Sequence, residues 1–121
     1  MDKEILKPVR WIGPTYHAWK AFPSDVQDVF GYALHLAQTG HKADVAKPLK
    51  GFKGSSVLEI VGRFDGNTWR GIYTIQFKDV IYVLHAFQKK SRKGISTPLS
   101  DISLIRQRLK LAKAHYEAHK T

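Results

Sequence analysis

The sequence has no cysteine, so neither a disulfide nor a thiolate metal site is available to it. This fits a reducing compartment such as the cytoplasm. No apolar run approaches the length needed to span a bilayer, and the N-terminal MDKEILKPVRWIG lacks the long hydrophobic stretch of a secretory leader. A Walker phosphate loop, a nucleophile elbow and a paired-carboxylate signature are also missing. So are internal repeats and low-complexity segments. Acids are scarce: ten Asp and Glu stand against twenty Lys and Arg. What remains is a soluble, cytoplasmic, single-domain chain over residues 1–121, long enough to bury a core. No membrane association is expected of it.

The net charge of +10 is unevenly spread. In the first forty residues Lys3, Lys7, Arg10 and Lys20 balance Asp2, Glu4, Asp25 and Asp28, so the whole excess lies in residues 41–121. This asymmetry points to a polyanionic partner, with nucleic acid ahead of a membrane surface or an acidic protein. The sharpest concentration is in Val80–Gly94, VIYVLHAFQKKSRKG, an apolar strand pattern that ends in Lys89, Lys90, Arg92 and Lys93. A strand is a rigid mount, and cations fixed at its end suit phosphate.

The chain's patterning predicts an α+β fold. KPVRWIG reads as a short N-terminal strand, kept at an edge by Pro8. Thr15–Phe22 reads as a brief helix. Ser24, with Gln27 three residues on, has the form of a capping box, followed by an apolar stripe of Val26, Val29, Phe30, Ala33, Leu34 and Ala37 and a stop at Gly40. From His41 to Ser56, Pro48, Gly51 and Gly54 break regularity. Lys47, Lys50 and Lys53 make this connection either a solvated basic loop or a phosphate-contacting rim, with Phe52 pinning it. Three strands follow: Val57–Arg63, Thr68–Phe77 and Val80–Lys89. They are joined by the hairpin dipeptide Asp65-Gly66 and by a tight turn at Lys78-Asp79. Thr97-Pro98 then reads as cap and first residue of a final helix with the stripe Ile102, Ile105, Leu109, Ala112 and Tyr116.

Two-residue turns fix a register in which Arg63 faces Thr68, Arg70 faces Val61 and Phe87, and Ile72 faces His85. One sheet face then gathers Leu58, Ile60, Trp69, Tyr73, Ile75, Phe77, Val80, Tyr82, Leu84 and Ala86 as the core. The other gathers Glu59, Arg63, Arg70, His85, Phe87 and Lys89 and is expected to be half-open. Metal-free cleavage of an RNA phosphodiester needs a base for the 2′-OH, cations for the pentacoordinate phosphate and an acid for the leaving 5′ oxygen. The arginines suit the second task, His85 or Glu59 the first, Lys89 or Lys90 the third, and Phe87 offers a stacking surface. The alternative is a solvated strand face with a cross-strand Arg–Glu pair. His115 and His119 have the i, i+4 spacing of metal ligands, but no further ligand accompanies them and the pair reads as solvated. No metal or cofactor is expected.

The run KPLKGFKGSSVLEIVGRFDGNTWRGIYTIQFKDVIYVLHAFQKKSRKGISTPLSDISLIRQRL resembles the phage-derived branch of the RelE/HigB toxins of type II toxin–antitoxin systems. Its specific pieces are the KPLKG loop, the LEI–R strand, the W-R-x-x-Y strand and the LHAFQKKS-x-K strand end followed by TP. The resemblance implies a RelE-like compact domain with helices on one face of an antiparallel sheet. It also implies a metal-independent endoribonuclease that cuts mRNA at the ribosomal A site, and an adjacent helix-turn-helix antitoxin that holds it inactive. The family's middle-strand arginine corresponds to Arg70, and the basic residues of the preceding strand to Arg63, with Glu59 where RelE has lysine. The basic cluster after the last strand corresponds to Lys89, Lys90 and Arg92. The tyrosine near the start of the family's C-terminal helix has no counterpart in Ser96-Thr97-Pro98, which shifts the base to His85. The expected catalytic set is Arg63, Arg70, His85, Lys89 and Lys90. Lys47, Lys50, Lys53, Phe87, Arg92 and Lys93 are expected to hold RNA. Two other readings stand beside it: a ParE-like toxin of the same fold that inhibits gyrase, and a non-catalytic phage nucleic-acid-binding protein.

Overall fold

A computed structural model describes residues 6–54, 56–89 and 97–120. In chain order they form β1 (Val9–Trp11), α1 (Thr15–Lys20), α2 (Ser24–Gln38), β2 (Ala46–Pro48), β3 (Val57–Phe64), β4 (Asn67–Thr74), β5 (Ile81–Lys89) and α3 (Leu99–His119). The strands make a five-stranded sheet in the order β1-β5-β4-β3-β2. β1 runs parallel to β5 at one edge, where Pro8 costs no ladder bond, and the remaining pairs are antiparallel. The expected α+β architecture is therefore present.

The β3–β4 hairpin follows from its turn. Asp65 and Gly66 both have positive φ, 52° and 76°, as a type I′ turn requires, and they fix every β3–β4 pair from Phe64↔Asn67 to Val57↔Thr74. α2 then lies across β3 and β4 at two glycines. A Cβ on Gly71 would sit 2.8 Å from the Phe30 ring, and one on Gly62 would sit 3.1 Å from Val26 and 3.2 Å from Phe30. Only glycine allows that approach. Val26, Phe30, Ala33, Leu34 and Ala37 fill this face with Leu58, Ile60, Trp69, Tyr73, Ile81 and Val83, whereas Val29 stays partly exposed.

Several expectations are corrected. The turn at Lys78-Asp79 is not a two-residue hairpin: β4 ends at Thr74 and a six-residue connection leads to Ile81. Thr74 donates its hydroxyl to Ser56 O (2.8 Å) and accepts from Gln76 N (3.1 Å), which turns the chain away from the ladder. The β4–β5 register runs as expected to Ile72↔His85, then slips so that Tyr73 faces Val83 and Leu84 is the extra residue of a bulge. The slip turns Val80, Tyr82 and Leu84 onto the opposite face, where they join Phe77, Ile72, Ile105 and Ala112 in a second core. That face is not half-open and the helices do not share one side, because α3 covers it. β2 is a short edge strand where a loop was expected. Neither predicted cap forms a side-chain bond: Gln27 donates instead to Lys20 O and Phe22 O, and Thr97 to Glu59.

Candidate active site

Strand pairing lays the site out in rows on the face that α3 covers. The first row is Lys47, Glu59, Ile72 and His85, the second Val61, Arg70 and Phe87, and the third Arg63, Thr68 and Lys89. α3 covers the first row, where Ile72 is fully buried. Arg70 follows in the second row and Arg63 and Lys89 in the third, next to Glu59 and His85 of the first.

Arg70 is the centre. It is 4 % exposed, and its Nη1 donates to Glu59 Oε2 at 2.6 Å. The same oxygen accepts the Thr97 hydroxyl at 2.6 Å. A buried guanidinium held by a carboxylate is a charge-assisted pair fixed in direction, so Arg70 keeps one rotamer on a rigid strand. Lys89, one row on, is also buried. Burial and then the Arg70 cation push its ammonium below the usual lysine range, against a smaller upward pull from Glu59. Arg63 occupies the same row but is exposed.

His85 is gripped from both sides. Its Nε2 lies 2.7 Å from Asp101 Oδ1 and its Nδ1 lies 3.3 Å from Arg108 Nη1, which also donates to Leu84 O at 3.0 Å. A guanidinium only donates, so Nδ1 is the acceptor and the ring proton sits on Nε2, donated to Asp101. Burial pushes the imidazole below its usual range, Asp101 pulls it back and Arg108 adds to the lowering. The ring is therefore neutral at neutral pH. It stacks on Phe87 with centroids 4.5 Å apart at 21°.

The structure thus brings Arg70, Lys89, His85 and Phe87 together and sets Arg63 at their edge. Lys47 lies in the first row on β2, and Lys50 and Lys53 follow in the exposed β2–β3 connection. That connection is tied down as expected at Phe52: the Arg106 guanidinium lies 4.5 Å over its ring and donates to Gly51 O. Lys90, Arg92 and Lys93 lie outside the described residues. Asp101, Thr97, Arg106 and Arg108 are participants that local patterning does not reveal, since each reads as a helix-surface or capping residue. His115 Nδ1 meets the Tyr82 hydroxyl at 2.7 Å, and the His119 ring stacks on it at 4.1 Å. Among the described residues no group of three or more His, Cys, Asp or Glu could hold a metal. Nor is any helix there long and apolar enough to cross a membrane.

The arrangement suits an anionic, planar-based ligand: cations fixed beside a flat aromatic surface on a rigid sheet. Among solved structures, the chain is similar to Escherichia coli toxin RelE, a double arginine-to-alanine mutant in the free state. The TM-score is 0.60 at 15 % identity, covering 86 % of this chain and 98 % of that one. It also matches the toxin–antitoxin complex RelBE2 of Mycobacterium tuberculosis, with a TM-score of 0.45 at 15 % identity over 75 % of this chain and 100 % of that one. No curated protein matches the sequence. The first likeness shows the RelE fold. The family model "Phage derived protein Gp49-like (DUF891)" matches residues 17–110, and the chain belongs to that phage-derived family.

Proposed function

We propose that this chain is the toxin of a type II toxin–antitoxin system and a metal-independent endoribonuclease that cuts mRNA at the ribosomal A site. The observation that carries the reading is Arg70, locked at 2.6 Å on Glu59, in the row of Phe87 and between the rows of His85 and Lys89, on a sheet with the fold of RelE. A solvated strand face would leave these side chains exposed, whereas Arg70, His85 and Lys89 are all buried.

The chemistry divides as follows. The 2′ oxygen attacks the adjacent phosphorus as its proton leaves, the bond to the 5′ oxygen breaks, and that oxygen takes up a proton. Arg70 and Arg63 stabilise the charge that builds on the phosphoryl oxygens. Lys89, with its lowered proton affinity, protonates the leaving oxygen more readily than an ordinary lysine, and Lys90 follows it in sequence. His85 Nδ1 is the acceptor for the 2′-OH proton once Arg108 lets go of it. Arg108 keeps its bond to Leu84 O in doing so. Phe87 stacks a base, and Lys47, Lys50, Lys53, Arg92 and Lys93 hold the backbone.

The working partners are mRNA on the ribosome and a helix-turn-helix antitoxin from the neighbouring gene, in the cytoplasm. An acidic antitoxin surface over the Arg70–Lys89 rows neutralises the site and is drawn to it by charge. The test is induction in cells, with and without the neighbouring gene, combined with mapping of mRNA ends on translating ribosomes. Growth arrest with in-frame cuts is expected, relieved by the antitoxin. Growth arrest with intact mRNA and inhibited gyrase would overturn the nuclease in favour of the ParE-like activity.

A further inference from the structure

Arg108 stands apart from the other cations of the site. It is half-buried, and burial pushes its proton affinity down. Among the described residues no carboxylate pairs with it, whereas Arg70 has Glu59 and His85 has Asp101. A cation kept partly out of water without its anion is costly, so an anion from outside is its natural partner. The two bonds it makes among the described residues both start at Nη1, one to Leu84 O at 3.0 Å and one to His85 Nδ1 at 3.3 Å. Its Nε and Nη2 edge faces the turn at Gly13, where a Cβ would lie 3.6 Å from both atoms. Gly13 is exposed and carries no side chain, so that edge opens to solvent. The contact with Nδ1 is the looser of the two. His85 does not depend on it for its position, since Asp101 holds the opposite ring nitrogen at 2.7 Å and Phe87 stacks on the ring.

We propose that Arg108 is a substrate-operated latch: in the free chain it closes the acceptor nitrogen of His85, and in the complex it turns to the phosphate on the 5′ side of the attacking sugar and leaves that nitrogen open. The proposal rests on the endoribonuclease reading of the same site. A nitrogen whose lone pair already accepts a bond cannot take the 2′-OH proton, so the closed latch keeps the free chain idle. The nucleotide that supplies the 2′-OH carries the scissile phosphate on its 3′ side and a second phosphate on its 5′ side. Arg70 and His85 lie two residues apart along the sheet, about 7 Å, so one nucleotide spans both. With the scissile phosphate on Arg70, the second one meets the free Nε and Nη2 edge, whose planar fork matches two phosphate oxygens. Arg108 pivots on Leu84 O as it turns. Nδ1 then takes the proton of the 2′-OH, and Asp101 faces the charge that forms on the ring.

The experiment follows the nitrogen resonance of His85 Nδ1 in the full chain, carrying isotope-labelled histidine, at one fixed pH. The probes are a 2′-deoxy dinucleotide with a 5′-phosphate and the same dinucleotide without it, neither of which can be cut. The phosphorylated probe is expected to move the resonance toward that of an unbonded imine nitrogen, and the other to leave it in place. In Arg108→Met the resonance starts at the unbonded value and neither probe moves it. Cutting of mRNA on programmed ribosomes supplies the second readout. Arg108→Met raises the half-saturating concentration by roughly tenfold, the scale of one charge-assisted bond, and Arg108→Lys recovers part of the loss. An absence of cuts by the wild type overturns the nuclease reading and the latch together. Cuts by a wild type whose resonance answers neither probe, or both alike, overturn the latch alone. So does an Arg108→Met loss that lies wholly in the maximal rate, which would make Arg108 a fixed support for His85. The wild-type comparison decides the matter whether or not Arg108→Met folds.

Discussion

The two faces of the sheet solve different problems with the same strands. On the α2 face the packing is apolar and aromatic, and contact is so close that Gly62 and Gly71 serve as bare backbone beneath Phe30. On the α3 face the apolar packing stops partway. Phe77, Val80, Tyr82 and Leu84 meet Ile105 and Ala112 at one end, while Glu59, Arg70, His85 and Lys89 occupy the other with Asp101 and Arg108. The bulge at Leu84 is the boundary between these two zones. It supplies enough apolar surface to hold α3 down, so the polar rows beyond it are firmly mounted. A face that is half core and half charge fixes its cations at the cost of the stability that full apolar packing would provide.

The largest expected effect separates the faces by function. Arg70→Ala should lower mRNA cleavage by at least about a hundredfold, the loss seen when one stabiliser of developing charge is removed. Arg70→Lys keeps the charge but loses the planar fork, and should recover only a small part. Cleavage mapped on translating ribosomes measures both. Near-wild-type cutting by Arg70→Ala would break the assignment of the α3 face as the reacting one.

The next effect belongs to the other face. Gly71→Ala places a methyl group 2.8 Å from a Phe30 ring that is itself buried. Overpacking of this kind costs roughly 1–3 kcal/mol, and here the ring has core on every side, so the upper half of that range is expected in denaturant unfolding. Gly62→Ala, with its nearest contacts at 3.1 and 3.2 Å, should cost less. An Ala at Gly71 that leaves stability unchanged would show the α2 face to be as adaptable as the α3 face.

How far each face is legible in the sequence follows from how local its determinants are. Asp65-Gly66 admits one turn geometry, so the β3–β4 rows, and with them the pairing of Arg70 with Val61, follow from two residues. The α2 stripe follows from spacing, and the stop from Gly40. The bulge does not, because Leu84 is an ordinary strand residue, and the shifted face meets partners distant in the chain, with Phe77 packed against Tyr82 and Tyr116 of α3. The uniformly apolar stretch Val80–Leu84 was the available sign, since a strand buried on both faces does not alternate. In the candidate site, Arg70, His85, Phe87 and Lys89 come together from strand pairing alone. The partners that fix His85 do not, because Asp101 and Arg108 are brought in by α3 from 16 and 23 residues away. The β2 edge strand escapes too, its three residues reading as loop.

The smallest effect tests the boundary between core and charge on the α3 face. His85 is held neutral, with its proton affinity below the usual value of 6.5, by burial above all. The unfolded chain therefore binds this proton at a higher pH than the folded one. Stability is in full above pH 6.5 and falls as the pH drops through the lowered folded value, by at most about 1.4 kcal/mol per pH unit from this group. Protonation would also place an Nδ1–H against the Arg108 guanidinium, so the α3 contact loosens in the same window. His85→Gln can keep a donor to Asp101 but cannot titrate. Its unfolding free energy should be flatter than that of wild type between pH 6.5 and 5.5, measured by denaturant titration at both. Equal slopes for the two chains would mean that Asp101 offsets burial and leaves the imidazole with its ordinary proton affinity, and a difference of opposite sign would mean that the carboxylate holds it charged.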